Sequence, residues 1–131
     1  MWRAILVCII LIAVLSSCTR DTAVYDPCPA CPPNISFKSA IIPIFQANCA
    51  ISGCHDAASH AYNVNLDSAS AYSTVIAPGS GFIYNNTANQ SILYNILIGT
   101  SNRMPPTGYN QLNPCQVQDI GCWINQGAQN N

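Results

Sequence analysis

Charge is scarce in this sequence: only 7% of its 131 residues are Asp, Glu, Lys or Arg, with four basic side chains against five acidic ones. Nucleic-acid affinity comes mainly from neutralising phosphates with Lys and Arg, so four basic residues without a stripe or cluster exclude that class of function. A long hydrophobic run is missing as well. The longest, Ala4 to Leu15, has about a dozen residues, short of the ~20 that a helix needs to cross hydrocarbon, so a permanent transmembrane anchor is disfavoured. No segment alternates in a way that suggests a stable sheet, and no internal repeat is present. The length itself allows one small domain at most.

What is present begins with a positively charged start, Met1 to Arg3, followed by the apolar run and then Leu15-Ser16-Ser17-Cys18. A short apolar run closed by small residues is the pattern of a secretory signal. Leu-Ser-Ser-Cys resembles a bacterial lipobox, and the resemblance implies that residues 1–17 are removed and that Cys18 carries the lipid. The membrane would then be a partner through acyl chains at Cys18, with the protein facing an oxidising compartment. An ordinary cleaved signal with an unrelated Cys is the alternative. Residues 18–34, with Asp26-Pro27-Cys28-Pro29-Ala30-Cys31-Pro32-Pro33, have neither helical nor strand periodicity and are expected to form a proline-rich, lipidated tether. Residues 35–131 then form the domain, and the mature chain from Cys18 is weakly acidic once Arg3 has left.

The stretch Ile44-Phe45-Gln46-Ala47-Asn48-Cys49-Ala50-Ile51-Ser52-Gly53-Cys54-His55 carries the chemistry. Covalent haem attachment needs two thiols to add across two vinyl groups, and an imidazole directly after the second thiol to reach the iron. Cys49, Cys54 and His55 offer that set. The usual spacing places two residues between the cysteines, whereas here there are four, so the loop must bulge, with Gly53 a candidate for the bulge. Three such residues are also compatible with zinc ligation, or with a disulfide beside a surface histidine.

About fifty residues further on, Arg103-Met104-Pro105-Pro106 is followed by Asn113-Pro114 and by a final helical stretch containing Gly121-Cys122-Trp123-Ile124-Asn125-Gln126-Gly127-Ala128. With these residues in place, 37–131 resembles the class I c-type cytochromes, especially the small cytochrome c-like domains of Bacteroidetes lipoproteins. The resemblance implies one covalently attached haem c, with Cys49 and Cys54 as thioether attachments, His55 as proximal ligand and Met104 as the opposite axial ligand. It implies electron transfer rather than enzymatic chemistry, because His/Met coordination fills both axial positions and raises the potential. Pro105 and Pro106 have fixed φ angles that stiffen the loop holding a weak sulfur ligand. Arg103 is a candidate partner for a haem propionate, with an exposed loop residue as the equal alternative. Tyr109 and Trp123 are lesser candidates of the same kind, Trp123 reading mainly as helix-crossing core. His60 reads as a solvated residue and a reserve ligand.

The expected fold is all-α, a small cytochrome c-like bundle of about four short helices around the haem. Asn34 or Ser36 caps the first, which runs through Ile41 to Phe45 and is broken or kinked at Pro43. Asp67 or Ser68 caps a second, ending near Ile76 before Pro78-Gly79. Gln90 or Ser91 opens a third, with Ile92, Leu93, Ile96 and Leu97 at helical spacing and Gly99 at its end. Asn113 and Pro114 open the last, with Val117, Ile120, Trp123 and Ile124 on one face.

Setting aside Cys8, Cys18, Cys49 and Cys54 leaves Cys28, Cys31, Cys115 and Cys122. Cys115 and Cys122 lie seven residues apart in one predicted helix, about 10.5 Å of rise, beyond the ~7 Å that a disulfide bridges. Cys28 to Cys31 in polyproline-like extension spans about 9 Å, a similar separation. Two disulfides stapling the proline-rich segment along the last helix are therefore expected, their direction open, with a local Cys28 to Cys31 bridge as the competitor. The functional expectation is a monomeric, lipid-anchored mono-haem cytochrome at the bacterial cell envelope, on its periplasmic or outer-membrane face. It would relay single electrons between a donor and an acceptor redox protein, with no nucleic-acid partner. The alternatives are a non-haem zinc module, a disulfide-stapled structural lipoprotein, and a haem enzyme if Met104 leaves the iron open.

Overall fold

A computed structural model describes residues 28–76, 80–99 and 102–131. The expected signal sequence, the lipobox-like stretch with Cys18, and the expected helix stop at Pro78-Gly79 lie outside the described residues. The described chain is helical and contains no strand, with four α-helices: α1 (Ile42–Asn48), α2 (Ala71–Ile76), α3 (Ile92–Ile98) and α4 (Pro114–Asn125). The small all-α architecture expected from the sequence is therefore present.

The first helical stretch shows how Pro43 acts. A wide π-helical turn, Phe37–Ile41, leads directly into α1, and Pro43 sits in the first turn of α1. Proline has no N–H and crowds the carbonyl one turn back, so an α-helix running through this point would lose a hydrogen bond. The chain instead makes longer-range bonds just before it, with the amides of Ile41 and Ile42 donating to Ser36 and Phe37 carbonyls. Ser36 caps the turn, accepting from the Ser39 amide through its side chain.

That turn places Phe37 at the centre of the core. Its ring meets Trp123 at 5.0 Å and meets Tyr72 and Phe45 edge-on at 5.1 and 6.2 Å, arrangements that favour aromatic quadrupoles. Trp123 is 1% exposed, and its indole N–H donates to the Gln129 carbonyl at 2.9 Å. It is thus committed to the core and does not serve as a donor elsewhere. The final residues fold back on the start of the domain: Asn131 accepts from the backbone amides of Phe37 and Lys38.

Among the described residues α4 is the longest helix and the most completely specified. Asn113 and Gln116 form a reciprocal capping box, and Pro114 takes the first helical position, where its missing N–H is not needed. α4 packs against the Phe37–Ile41 turn, the short 3-10 turn Ala88–Gln90, and α3. Gly121 allows the α3 contact, since a Cβ there would fall 2.7 Å from the Tyr94 ring. α2 begins three residues later than the Asp67/Ser68 caps suggest. Asp67 bends the chain into a turn, its carbonyl accepting from Ser70 and Ala71, and the helix starts only at Ala71.

The two staples form, in the parallel sense. Cys28 pairs with Cys115 and Cys31 with Cys122, with Cα separations of 5.2 and 5.9 Å. Residues 28–33, expected as part of the tether, therefore lie as a strap along α4. Gln118 and Gln126 donate to the carbonyls of Pro29 and Pro32, and the Gln126 carbonyl oxygen accepts from the Ile35 amide. Cys115, Gln118, Cys122 and Gln126 recur at intervals of three and four, one stripe of a helix. The strap covers that stripe while Ile120, Trp123 and Ile124 face the core.

Candidate functional site

α1 ends at Cys49, and the next seventeen residues form a compact loop that returns to it. The His55 amide donates to the Cys49 carbonyl at 3.1 Å, the Ala61 amide to Cys54 at 2.8 Å, and the Leu66 amide to His55 at 2.8 Å. The four residues between the cysteines are absorbed inside this closure. Cys54 N–H turns back onto the Ile51 carbonyl at 3.0 Å, and Gly53 adopts φ +83° with its amide held by Ser59 Oγ at 3.0 Å. A left-handed conformation of this kind is open to glycine at little cost, so Gly53 supplies the bulge that the spacing calls for. Asp56 fixes the far side, accepting from the Ser59 amide at 2.8 Å. The Ser59 hydrogen bonds, foremost among several causes, hold its carboxyl below the usual carboxylate range.

Cys49 and Cys54 are the two free thiols among the described residues. Both line a cavity together with His55 and Met104. An adjoining lobe shares Cys49, His55, Tyr62 and Met104 and runs inward between Phe45, Val75, Phe82 and Leu93. The lobes measure about 150 and 220 Å³, together within the ~300–1,000 Å³ usual for cofactor sites. Among the described residues, no Lys, Arg, Asp or Glu lines either lobe. The wall is apolar, as a hydrophobic prosthetic group requires.

His55 is oriented for ligation. Its Nδ1 lies 3.1 Å from the Val64 carbonyl, and donation there leaves Nε2 as the lone-pair nitrogen, the usual device by which a backbone carbonyl fixes a ligating imidazole. Met104, which lines both lobes, is set by its backbone amide donating to the Ile96 carbonyl of α3 at 2.9 Å. Two thiols, an oriented imidazole and a thioether on one apolar cavity are the donor set of covalent haem c, and the residues fit that group.

Burial, with Cys54 adding to it, pushes the Cys49 thiol up from 9.0 to about 12. The unfolded chain releases this proton first, so the thiol's contribution to stability is full below pH 9.0 and is lost as pH rises toward about 12. In chain carrying both thiols free, urea midpoints at about pH 8 and about pH 11 should fall more steeply than in Cys49→Ala. Equal slopes would contradict the buried placement.

The other expected residues separate. Arg103 is exposed and lines a different cleft, between α3 and α4, with Asn89, Tyr94 and Val117. Tyr109 does line the thiol cavity, as does Tyr62. His60 is exposed, with Nδ1 near the Ala57 carbonyl, and lines neither lobe. Tyr62, passed over in the sequence, is 88% exposed yet borders both lobes from a left-handed backbone at φ 57°. Its position in a run of small and polar residues offers no periodic signal. Among the described residues no three His, Cys, Asp or Glu side chains gather as a metal site, and no helix is long and apolar enough to cross a membrane. No protein family, curated protein or solved structure matches the chain.

Proposed function

We propose that residues 35–131 form a mono-haem c-type cytochrome domain that carries single electrons between redox proteins at the bacterial cell envelope, tethered by lipid at Cys18. The observation that carries this reading is the convergence of Cys49, Cys54, His55 and Met104 on one apolar cavity while the other four described cysteines are consumed in disulfides. Cys49 and Cys54 would anchor the haem as thioethers, and His55 and Met104 would be its axial ligands. Bound there, the haem would supply one-electron chemistry, and its retention by both His55 and Met104 would suit a carrier rather than an enzyme.

The chain's own residues would do the rest. Val64 holds the imidazole through Nδ1, the Gly53 bulge absorbs the longer spacing between the two thiols, and Phe45, Val75, Phe82 and Leu93 give the cavity apolar walls. A small reorganisation on electron transfer is expected of such an apolar, pinned site. The zinc reading is weakened because a structural zinc takes four ligands, and Cys28 and Cys31, which could have joined Cys49, Cys54 and His55, are spent in the strap.

The test is Cys49→Ser with Cys54→Ser, expressed beside the parent in cells with haem-attachment machinery. The parent should keep its colour through denaturing gel electrophoresis, and the double variant should lose it entirely. Equal colour retention in both would place the attachment elsewhere.

A further inference from the structure

The segment carrying Met104 has few backbone hydrogen bonds with which to hold itself. Pro105 and Pro106 supply no N–H, and Gly108 sits at φ +99°. Beyond the Met104 amide bonded to Ile96, the Tyr109 amide reaches back to Pro106 at 3.2 Å. Carbonyls of the loop are instead gathered by one side chain. Gln111 Nε2 donates to Pro105 at 2.8 Å and to Pro106 at 3.0 Å, with the Tyr109 carbonyl also in reach at 3.3 Å.

Gln111 is exposed and contributes nothing to the core. Pinning a long exposed side chain costs rotamer entropy, so a glutamine held on three carbonyls of one loop serves that loop. We infer that Gln111 is a positioning residue that clamps the Met104-Pro105-Pro106 loop and keeps the Met104 sulfur on the cavity wall. This rests on the reading of Met104 as an axial ligand. A thioether is a weak ligand that gains from being held in place beforehand, and the clamp provides the hold from outside the cavity, without touching the iron or its other ligands.

The two variants are Gln111→Glu, nearly isosteric but presenting a carboxylate to three carbonyl oxygens, and Gln111→Asn, which keeps the amide on a shorter stem. Both leave the core untouched, and far-UV dichroism with a thermal melt verifies that each folds. Two readouts are taken on the full chain as isolated at neutral pH. In Gln111→Glu, amide exchange at Met104 and Tyr109 should quicken about ten-fold or more, as expected when shared hydrogen bonds are lost, with Gln111→Asn in between. Carbon monoxide should bind reduced Gln111→Glu and be excluded from the parent, with Met104→Ala as the positive control.

Exchange at parental rates in Gln111→Glu overturns the clamp. Faster exchange with carbon monoxide still excluded overturns its role in holding the sulfur. A colourless parent defeats the haem reading, and the exchange comparison on that same chain then decides the clamp by itself.

Discussion

Removing both strap disulfides, with Cys28, Cys31, Cys115 and Cys122 all changed to Ser, should leave a chain with no cooperative unfolding transition at room temperature, whereas removing either one alone should be tolerated. The two bonds close loops of 87 and 91 residues. Closing one such loop is worth about 4.5 kcal/mol in the chain-entropy model. Once the first is closed, the second adds only the small ring between the strap and one stretch of α4, worth about 3 kcal/mol or less. Either single removal therefore costs the smaller amount, and the double removal costs about 7 kcal/mol, comparable with the ~5–15 kcal/mol stability of a whole domain. Urea titration of the two paired variants and of the quadruple variant reads this directly. A quadruple variant with a midpoint close to the parent's would mean that the strap is held by its Gln118 and Gln126 contacts rather than by sulfur.

Met104→Ala should keep the colour and lose the carrier properties. Covalent attachment would depend on Cys49 and Cys54 and proximal ligation on His55, so nothing that retains the haem is removed. The reduced variant should bind carbon monoxide at neutral pH. Its potential should fall by on the order of a tenth of a volt or more, part of the ~0.8 V range over which axial ligands set haem potentials. A redox titration that leaves the potential of Met104→Ala unchanged would show that sulfur is not a ligand, and His60 would be the next residue to substitute.

The sequence disclosed those parts of the fold that rest on local chemistry. Asn113 and Pro114 begin α4 because a capping side chain and a missing N–H are read at the position itself, and Ser91 and Gly99 mark the ends of α3, although the Ser91 hydroxyl bonds to Tyr84 and Thr87 instead of capping the helix. The strap was legible from helical rise against polyproline reach, but its parallel direction was not, since both directions satisfy the same distances. The π-helical turn before Pro43 escaped notice because a proline signals interruption without saying which longer hydrogen bonds replace the lost ones. At the site, Cys49, Cys54, His55 and Met104 stood out as residue types, and three dimensions brought them to one cavity. Arg103 stands next to Met104 in the sequence but lines another cleft, a separation that adjacency in sequence does not reveal. Gln111 carried no signal at all. Its role arises from three carbonyls that converge only when the loop folds, and a glutamine in a polar stretch looks like any solvated residue.

The central claim is that this cavity binds haem through two thioethers, and the most direct measurement is the absorption spectrum of the mature, full-length protein, oxidised and then dithionite-reduced, before and after extraction with acid acetone. The protein should be produced in cells that mature a control cytochrome c. A sharp α band on reduction, with the chromophore remaining in the protein pellet after extraction, is the predicted result. A colourless protein alongside a coloured control, or a chromophore that passes into the acetone, would contradict the account.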